Sequence, residues 1–181
     1  MKAKYLMTIA SMMLLCCTLS AQKIKIAKDE VDKFSGNRIT ETKLEQLCFK
    51  NTTLGTKWHS IFLMLRKVND GYTLPANIYL PDVEKYVEDS GLTFLTDSGK
   101  SVALNTLYTG ISGPDSFYKN SFVFETAFKL SPEDVEILSS EEITDVRIRY
   151  LGNHFDIEVS DKKQDLIIRM FQAIEAAQKS K

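Results

Sequence analysis

Turn signals recur about every ten to fifteen residues along this chain, and the segments between them are short and rich in β-branched and aromatic residues. That spacing leaves little room for long helices and predicts a sheet-rich domain. Ile24–Phe34 and Arg38–Phe49 form the first strand pair, hinged at Ser35-Gly36-Asn37. Trp58–Val68 contains Ile61-Phe62-Leu63-Met64-Leu65, apolar at successive positions, as in a strand buried on both faces and therefore central. Asn69-Asp70-Gly71 turns the chain into Tyr72–Leu80, where Pro75 argues for an edge position or a bulge. Residues 81–91 are ambiguous between a short helix and an irregular loop, because Pro81 and Ser90-Gly91 bracket the helically spaced Val83, Tyr86 and Val87. Leu92–Thr96 and Lys100–Leu107 read as a hairpin around Asp97-Ser98-Gly99.

The C-terminal third is patterned most clearly. Ser121–Leu130 alternates, with Phe122, Phe124, Phe128 and Leu130 on one face and Glu125 and Lys129 on the other. A helix then starts at Ser131-Pro132-Glu133-Asp134. Ser131 can cap it, Pro132 loses nothing at the first helical position, and two acids sit near the positive end of the helix dipole. Leu130 and Val135 occupy the two places of a hydrophobic staple. Ile143–Leu151 and His154–Ser160 follow as a hairpin about Gly152-Asn153. A two-residue loop there sets Tyr150 against Phe155, Ile148 against Ile157 and Val146 against Val159, with Arg149 facing Asp156 and Arg147 facing Glu158 on the other side. The last element is a helix over Lys162–Lys179. Asp161 and Gln164 resemble a capping box, and Ile167, Met170, Phe171, Ile174 and Ala177 form an apolar stripe that suits the inner face of the preceding hairpin.

The first residues concern destination. Lys2 and Lys4 precede an apolar run from Leu6 to Leu19, then Ser20 and Ala21, then polar sequence from Gln22. Basic, apolar and small segments in that order make a secretory signal peptide over residues 1–21. Its apolar run is shorter than the ~20 residues a membrane span requires. Residues 22–181 remain, enough for one domain with its own core. Cleavage near Ala21 is favoured over lipidation at Cys17: Leu14 suits a lipoprotein signal, but Cys16 is a poor residue to precede the lipidated cysteine. With Cys16 and Cys17 in the leader, Cys48 stands alone in the mature chain and no internal disulfide can form. Between Leu47 and Phe49 it reads as a buried small hydrophobe; a catalytic thiol would need His59 or His154 beside it. The 23 basic and 24 acidic residues nearly balance, without a basic block, so nucleic acid is not an expected partner.

Chemical motifs are scarce. Gly99-Lys100-Ser101 looks like the end of a phosphate loop, but Phe94 stands where the required first glycine would be, so a hairpin turn explains it better. His59 and His154 have no second histidine or cysteine at metal-ligand spacing, so neither metal nor cofactor is expected. No serine sits in a nucleophile elbow, and no carboxylate pair is marked by sequence. Arg147, Arg149, Asp156 and Glu158 read as a cross-strand charge ladder on a solvated face, with an anion-recognition surface as the functional alternative. Trp58 beside His59 reads as core, with a carbohydrate platform as its alternative.

With Asp32-Lys33-Phe34-Ser35-Gly36, Leu130-Ser131-Pro132-Glu133-Asp134 and Val146-Arg147-Ile148-Arg149 in view, the chain resembles small secreted, uncharacterised proteins of Bacteroidetes. The resemblance covers about half the mature chain and implies an exported antiparallel sheet protein, with no catalytic or binding residues to carry over. The expected fold is α+β: a twisted, mainly antiparallel sheet of some seven to nine strands, a short helix near residue 132 and a C-terminal helix packed on the sheet. The expected location is periplasmic, outer-envelope or secreted. Function reads first as a non-catalytic module binding an envelope protein or glycan. A secreted hydrolase without motifs, and a carrier holding an apolar molecule between sheet and C-terminal helix, are the alternatives.

Overall fold

The computed structural model describes residues 23–52, 57–81, 90–114, 121–150 and 152–180. The expected leader, with Cys16 and Cys17, lies outside the described residues, as does most of the ambiguous 81–91 segment. The rest is mainly antiparallel sheet with two helices. Among the described residues there are eleven strands, more than the seven to nine expected, because two of the anticipated strands are broken in the middle. They are β1 (Ile26–Val31), β2 (Arg38–Thr42), β3 (Glu45–Thr52), β4 (Lys57–Leu63), β5 (Arg66–Val68), β6 (Gly71–Pro81), β7 (Gly91–Thr96), β8 (Ser101–Pro114), β9 (Ser121–Lys129), β10 (Ile143–Tyr150) and β11 (Asn153–Glu158). Helix α1 (Pro132–Leu138) follows β9, and α2 (Leu166–Lys179) closes the chain. Among the described residues no helix is long and apolar enough to cross a membrane.

The pairing order is β1-β2-β5-β6-β9-β8-β7-β10-β11, with β4 also paired to β6 and β3 outside β4. Strand β6 is therefore interior, flanked by β9 along its whole length and by β4 and β5 in turn on the other side. This corrects the edge placement expected from Pro75, while the bulge alternative has its counterpart in the neighbouring strand. The Pro75 carbonyl accepts from Met64 N at 3.0 Å. A residue whose carbonyl points to one neighbour would aim its N–H the same way, and proline has none to offer. The ladder is short of a bond there, and the strand opposite breaks between Leu63 and Arg66. On the opposite side of the break the buried Thr42 holds Leu65: its hydroxyl accepts from Leu65 N at 3.0 Å while its own N–H donates to the Leu65 carbonyl at 3.0 Å.

Because β2 gives way to β3 at the same level, two arms diverge from β6. One is β1-β2-β5, over which α2 lies; the other is β3-β4. The far end of the sheet brings β11 beside β3. Those two edges meet through side chains: the His59 and Phe155 rings stack at 3.7 Å and 11°, and Lys50 Nζ donates to the Asp156 carbonyl at 3.2 Å. The sheet thus curls around a core that includes Phe94, Phe124, Phe128, Ile61, Leu63 and Leu80, all fully buried.

Local expectations fared unevenly. Ser131 caps α1 with its hydroxyl on Asp134 N while Asp134 returns the bond to Ser131 N, a complete capping box. Helix α2 starts at Leu166 rather than Lys162, since residues 161–165 form turns, and Asp161 is not its cap. Its apolar stripe also covers a different surface from the one expected. The helix lies against β1 and β2, and Phe171 meets Tyr72 of β6 at 5.1 Å between ring centroids. Arg38 Nη2 donates to the Ala177 carbonyl at 3.3 Å and Lys67 Nζ to Gln178 Oε1 at 2.9 Å, tying the end of the helix to β2 and β5.

In the β10–β11 hairpin the faces are as expected, but the register differs by two residues. Ile148 lies opposite Phe155, Val146 opposite Ile157 and Tyr150 opposite Asn153. Gly152, at φ +73°, takes the turn position that needs a left-handed backbone, and Asn153 enters the strand. A shift of two preserves faces, so Val146, Ile148, Ile157 and Val159 are all buried while Tyr150 and Phe155 are half-buried. The charge pairs change partners. Arg147 grips Asp156 in two bonds of 2.7 and 2.8 Å, and Arg149 lies opposite His154.

Thr42→Val keeps the shape of the hinge residue but removes its acceptor, stranding the buried Leu65 N–H. The cost should be about 1–3 kcal/mol. Chemical denaturation should show a lowered midpoint with an unchanged slope; wild-type stability in Thr42→Val would remove the threonine from the hinge.

Candidate functional site

The described surface carries a concave feature of ligand size, a groove of about 1040 Å³ between the start of β1 and the flank of α2. One wall is Lys23 to Ile26, the segment that enters β1, in which the lysines are exposed and the isoleucines are buried or half-buried. Ile24 is part of the core. The Lys25 carbonyl accepts from Lys43 N at 2.8 Å, so Lys43 joins the same wall from the β2–β3 connection. On the helix side Ala173, Ala176 and Ala177 supply a low apolar floor, and Gln172 and Arg169 stand along it. Arg169 is held by Asp165 one turn earlier at 2.9 Å, and its side chain is only 12% exposed. The three lysines are exposed, and among the described residues no carboxylate lines the groove. The site is thus a cationic, partly apolar trough. Such a surface attracts anions over roughly a Debye length and holds them better where apolar contact adds to charge.

Cys48, the cysteine among the described residues, is a core residue. It is 5% exposed, and burial pushes its thiol up to about 12. A thiol held that high is protonated at neutral pH, which makes it a poor nucleophile. His59 is also buried and stacks on Phe155, which places it at the seam between β3-β4 and β11. The backbone of Trp58 pairs with Asn51 in β4; its side chain lies outside the described residues, so the carbohydrate-platform alternative has no described ring. Among the described residues no three His, Cys, Asp or Glu side chains are placed to hold a metal ion.

Gly99-Lys100-Ser101 is a turn, with Gly99 at φ +83° and Gly99 N donating to the Thr96 carbonyl at 2.9 Å. Lys100 and Ser98 both engage Glu141, from the loop after α1. Those bonds, the Lys100 one first, hold the Glu141 carboxyl down to about 2. This lysine serves a structural contact between two loops.

Of the four-residue charge ladder, Arg147 and Asp156 pair with each other, each holding the other in its charged form. Arg149 turns away. Its guanidinium crosses Gly91 and donates to the Leu104 carbonyl at 3.1 Å and to Asn105 Oδ1 at 3.0 Å. A Cβ at Gly91 would sit 2.5 Å from that guanidinium and 2.2 Å from the Leu104 carbonyl, so glycine is required there. The arginines are occupied in bracing β10 against β11 and β8, and the ladder is mainly structural.

The turn at Asp32–Gly36 is the other notable surface feature. Asp32 Oδ1 accepts from Ser35 N at 2.7 Å, Ser35 Oγ at 2.8 Å and Phe34 N at 3.1 Å, which keeps its carboxyl below the ordinary range. This Asx-turn presents Phe34 wholly to solvent.

Sequence reasoning did not find the groove. Its lysines come from two separate stretches, and its helix side is an alanine pattern read only as the tail of the core stripe. The Lys23-Ile24-Lys25-Ile26 alternation was the visible signal. No protein family, curated protein or solved structure matches the chain.

Cys48→Ala should retain the fold, with a cost near ~1 kcal/mol for the small volume removed. The native thiol should be silent to a thiol reagent until denaturant is added; fast labelling of native protein would place Cys48 outside the core. For Glu141, a depressed carboxyl pKa contributes stability that is complete above the ordinary value of 4.5 and is lost as pH falls toward about 2. A carbon-detected carboxyl titration should find its midpoint in that low range, moving up in Lys100→Met. A midpoint at the ordinary value in the wild type would contradict the loop contact.

Proposed function

We propose that the protein is an exported, non-catalytic binding module and that the groove between Lys23–Ile26 and α2 is its binding surface. The observation that carries this reading is a ligand-sized trough with three exposed lysines, an alanine floor and no lining carboxylate among the described residues. Cys48 is silenced by burial, and Lys100, Arg147 and Arg149 are spent on structural contacts, which favours binding over hydrolysis. The carrier alternative is less well supported. Leu166, Ile167, Met170, Phe171 and Ile174 fill the helix–sheet interface, leaving the helix's flank rather than its underside as the receptive surface.

Export rests on the signal-like order of residues 1–21, and with it the resemblance to small secreted proteins of Bacteroidetes. The ligand is then an extracytoplasmic anion: an acidic segment of an envelope protein, an acidic glycan or an anionic lipid surface. Lipidation at Cys17 is the alternative form of export.

The test is a thermal-shift panel on the mature chain with poly-glutamate, alginate and phosphatidylglycerol vesicles. At least one should raise the melting temperature of the wild type and leave the double variant Lys25→Glu/Lys43→Glu unmoved. Identical responses from both proteins across the panel would remove the groove as the binding surface.

A further inference from the structure

Resting on this binding reading, we infer the ligand class: a single-chain lipid with an anionic head, held as one molecule. Its head lies among Lys23, Lys25 and Lys43, and its chain lies along the alanine flank of α2. At about 1040 Å³ the groove stands at the upper end of the roughly 300–1,000 Å³ common to small-molecule pockets. Its helix side runs from Arg169 to Ser180, about 16 Å at the ordinary helical rise. Under the export reading the leader is removed, so only Gln22 precedes Lys23 in the mature protein.

Positive charge is gathered at one place on the lining. Lys23 and Lys25 are two residues apart, and the Lys25 carbonyl accepts from Lys43 N at 2.8 Å, which brings the third lysine alongside. Arg169 also lines the groove, but Asp165 already holds it. Farther along the strand the charges are neutralised in pairs, Lys28 with Glu30 and Asp29 with Arg38, each at 3.0 Å. The positive surplus is therefore local. It suits one head group and gives a polyanion no track to follow, while Asp29 and Glu30 oppose an acidic peptide extended along β1.

The rest of the lining suits a hydrocarbon chain. Ala173, Ala176 and Ala177 keep the helix side low, the half-buried Ile26 borders the groove from the strand, and the lysine stems add methylenes below their charged tips. Among the described residues no aromatic ring lines the groove, so a sugar has no flat face to stack on. Shape separates one molecule from a bilayer. A concave trough encloses a chain, whereas a membrane surface takes up a face that projects into it.

The probe is dodecanoate, kept below its micelle concentration and titrated calorimetrically into the mature chain at low and physiological salt. Saturable binding is expected, weakening with salt. Octanoate, with a shorter chain, should bind weaker by about tenfold or more, since each buried methylene adds to affinity. Dodecyltrimethylammonium, with the same chain length and the opposite charge, should not bind. Affinity for dodecanoate should fall by about tenfold or more in Lys25→Glu/Lys43→Glu, and likewise in Ala176→Glu, which sets a carboxylate on the floor. All three positions are exposed, so both variants should melt as the wild type does; should one melt low, the other decides.

Equal affinity for octanoate and dodecanoate, or for dodecyltrimethylammonium, overturns the lipid assignment. Full dodecanoate affinity in both variants overturns its placement in this groove. Lysine-dependent binding of poly-glutamate, alginate or phosphatidylglycerol vesicles by a protein that ignores dodecanoate also overturns the lipid assignment and leaves the groove reading intact. Failure of every probe overturns both.

Discussion

A proline in the middle of the most connected strand sets the shape of this molecule. Pro75 withholds one N–H from the side of β6 that faces Met64, so no single strand runs unbroken along that side. The chain there divides into β4 and β5, and the strand outside it divides into β3 and β2 at the same level. On its other side β6 pairs with β9 without interruption, which anchors the hinge in a continuous ladder. On the β2 side of the break Thr42 bonds Leu65 through both its hydroxyl and its N–H, so that amide is not stranded in the core.

Both arms take their positions from that hinge. The β1-β2-β5 arm is free to receive α2, and an aromatic such as Phe171, 3% exposed there, commonly costs about 3–5 kcal/mol to truncate. The β3-β4 arm meets β11 at the opposite end of the sheet. That seam is made by His59 on Phe155 and Lys50 on the Asp156 carbonyl instead of a ladder. A single exposed pair such as Arg147–Asp156 contributes under ~1 kcal/mol, so packing decides the curl and charge trims it. The groove is a by-product of the first arm: α2 covers the face of β1 and β2, and its flank forms a trough with the segment that enters β1.

What was legible in the chain was local, and what was not was relational. The alternation in Ser121–Leu130, the cap at Ser131 and the faces of β10 and β11 each depend on residues a few positions apart, and each appears as expected. The hairpin register was missed because Gly152 and Asn153 both tolerate a left-handed backbone, and either placement of the turn gives the same faces. Pro75 was read as an edge marker because local reasoning sees the missing donor but not the neighbouring strand that breaks to accommodate it. The helix was assigned to the nearer hairpin on sequence proximity, whereas Phe171 meets Tyr72 from the middle of the chain. The groove draws on Lys25, Lys43 and Ala176, whose juxtaposition only the folded sheet creates.

Lysines beside a terminal strand have an ordinary use, since charge near an exposed edge discourages pairing with other chains. That use and recognition are compatible. The other terminal strands are managed differently: β3 and β11 face each other and are bridged by Lys50 and by the His59–Phe155 stack. Among the described strands two edges are thus closed against one another, and the third, β1, follows the segment that lines the trough.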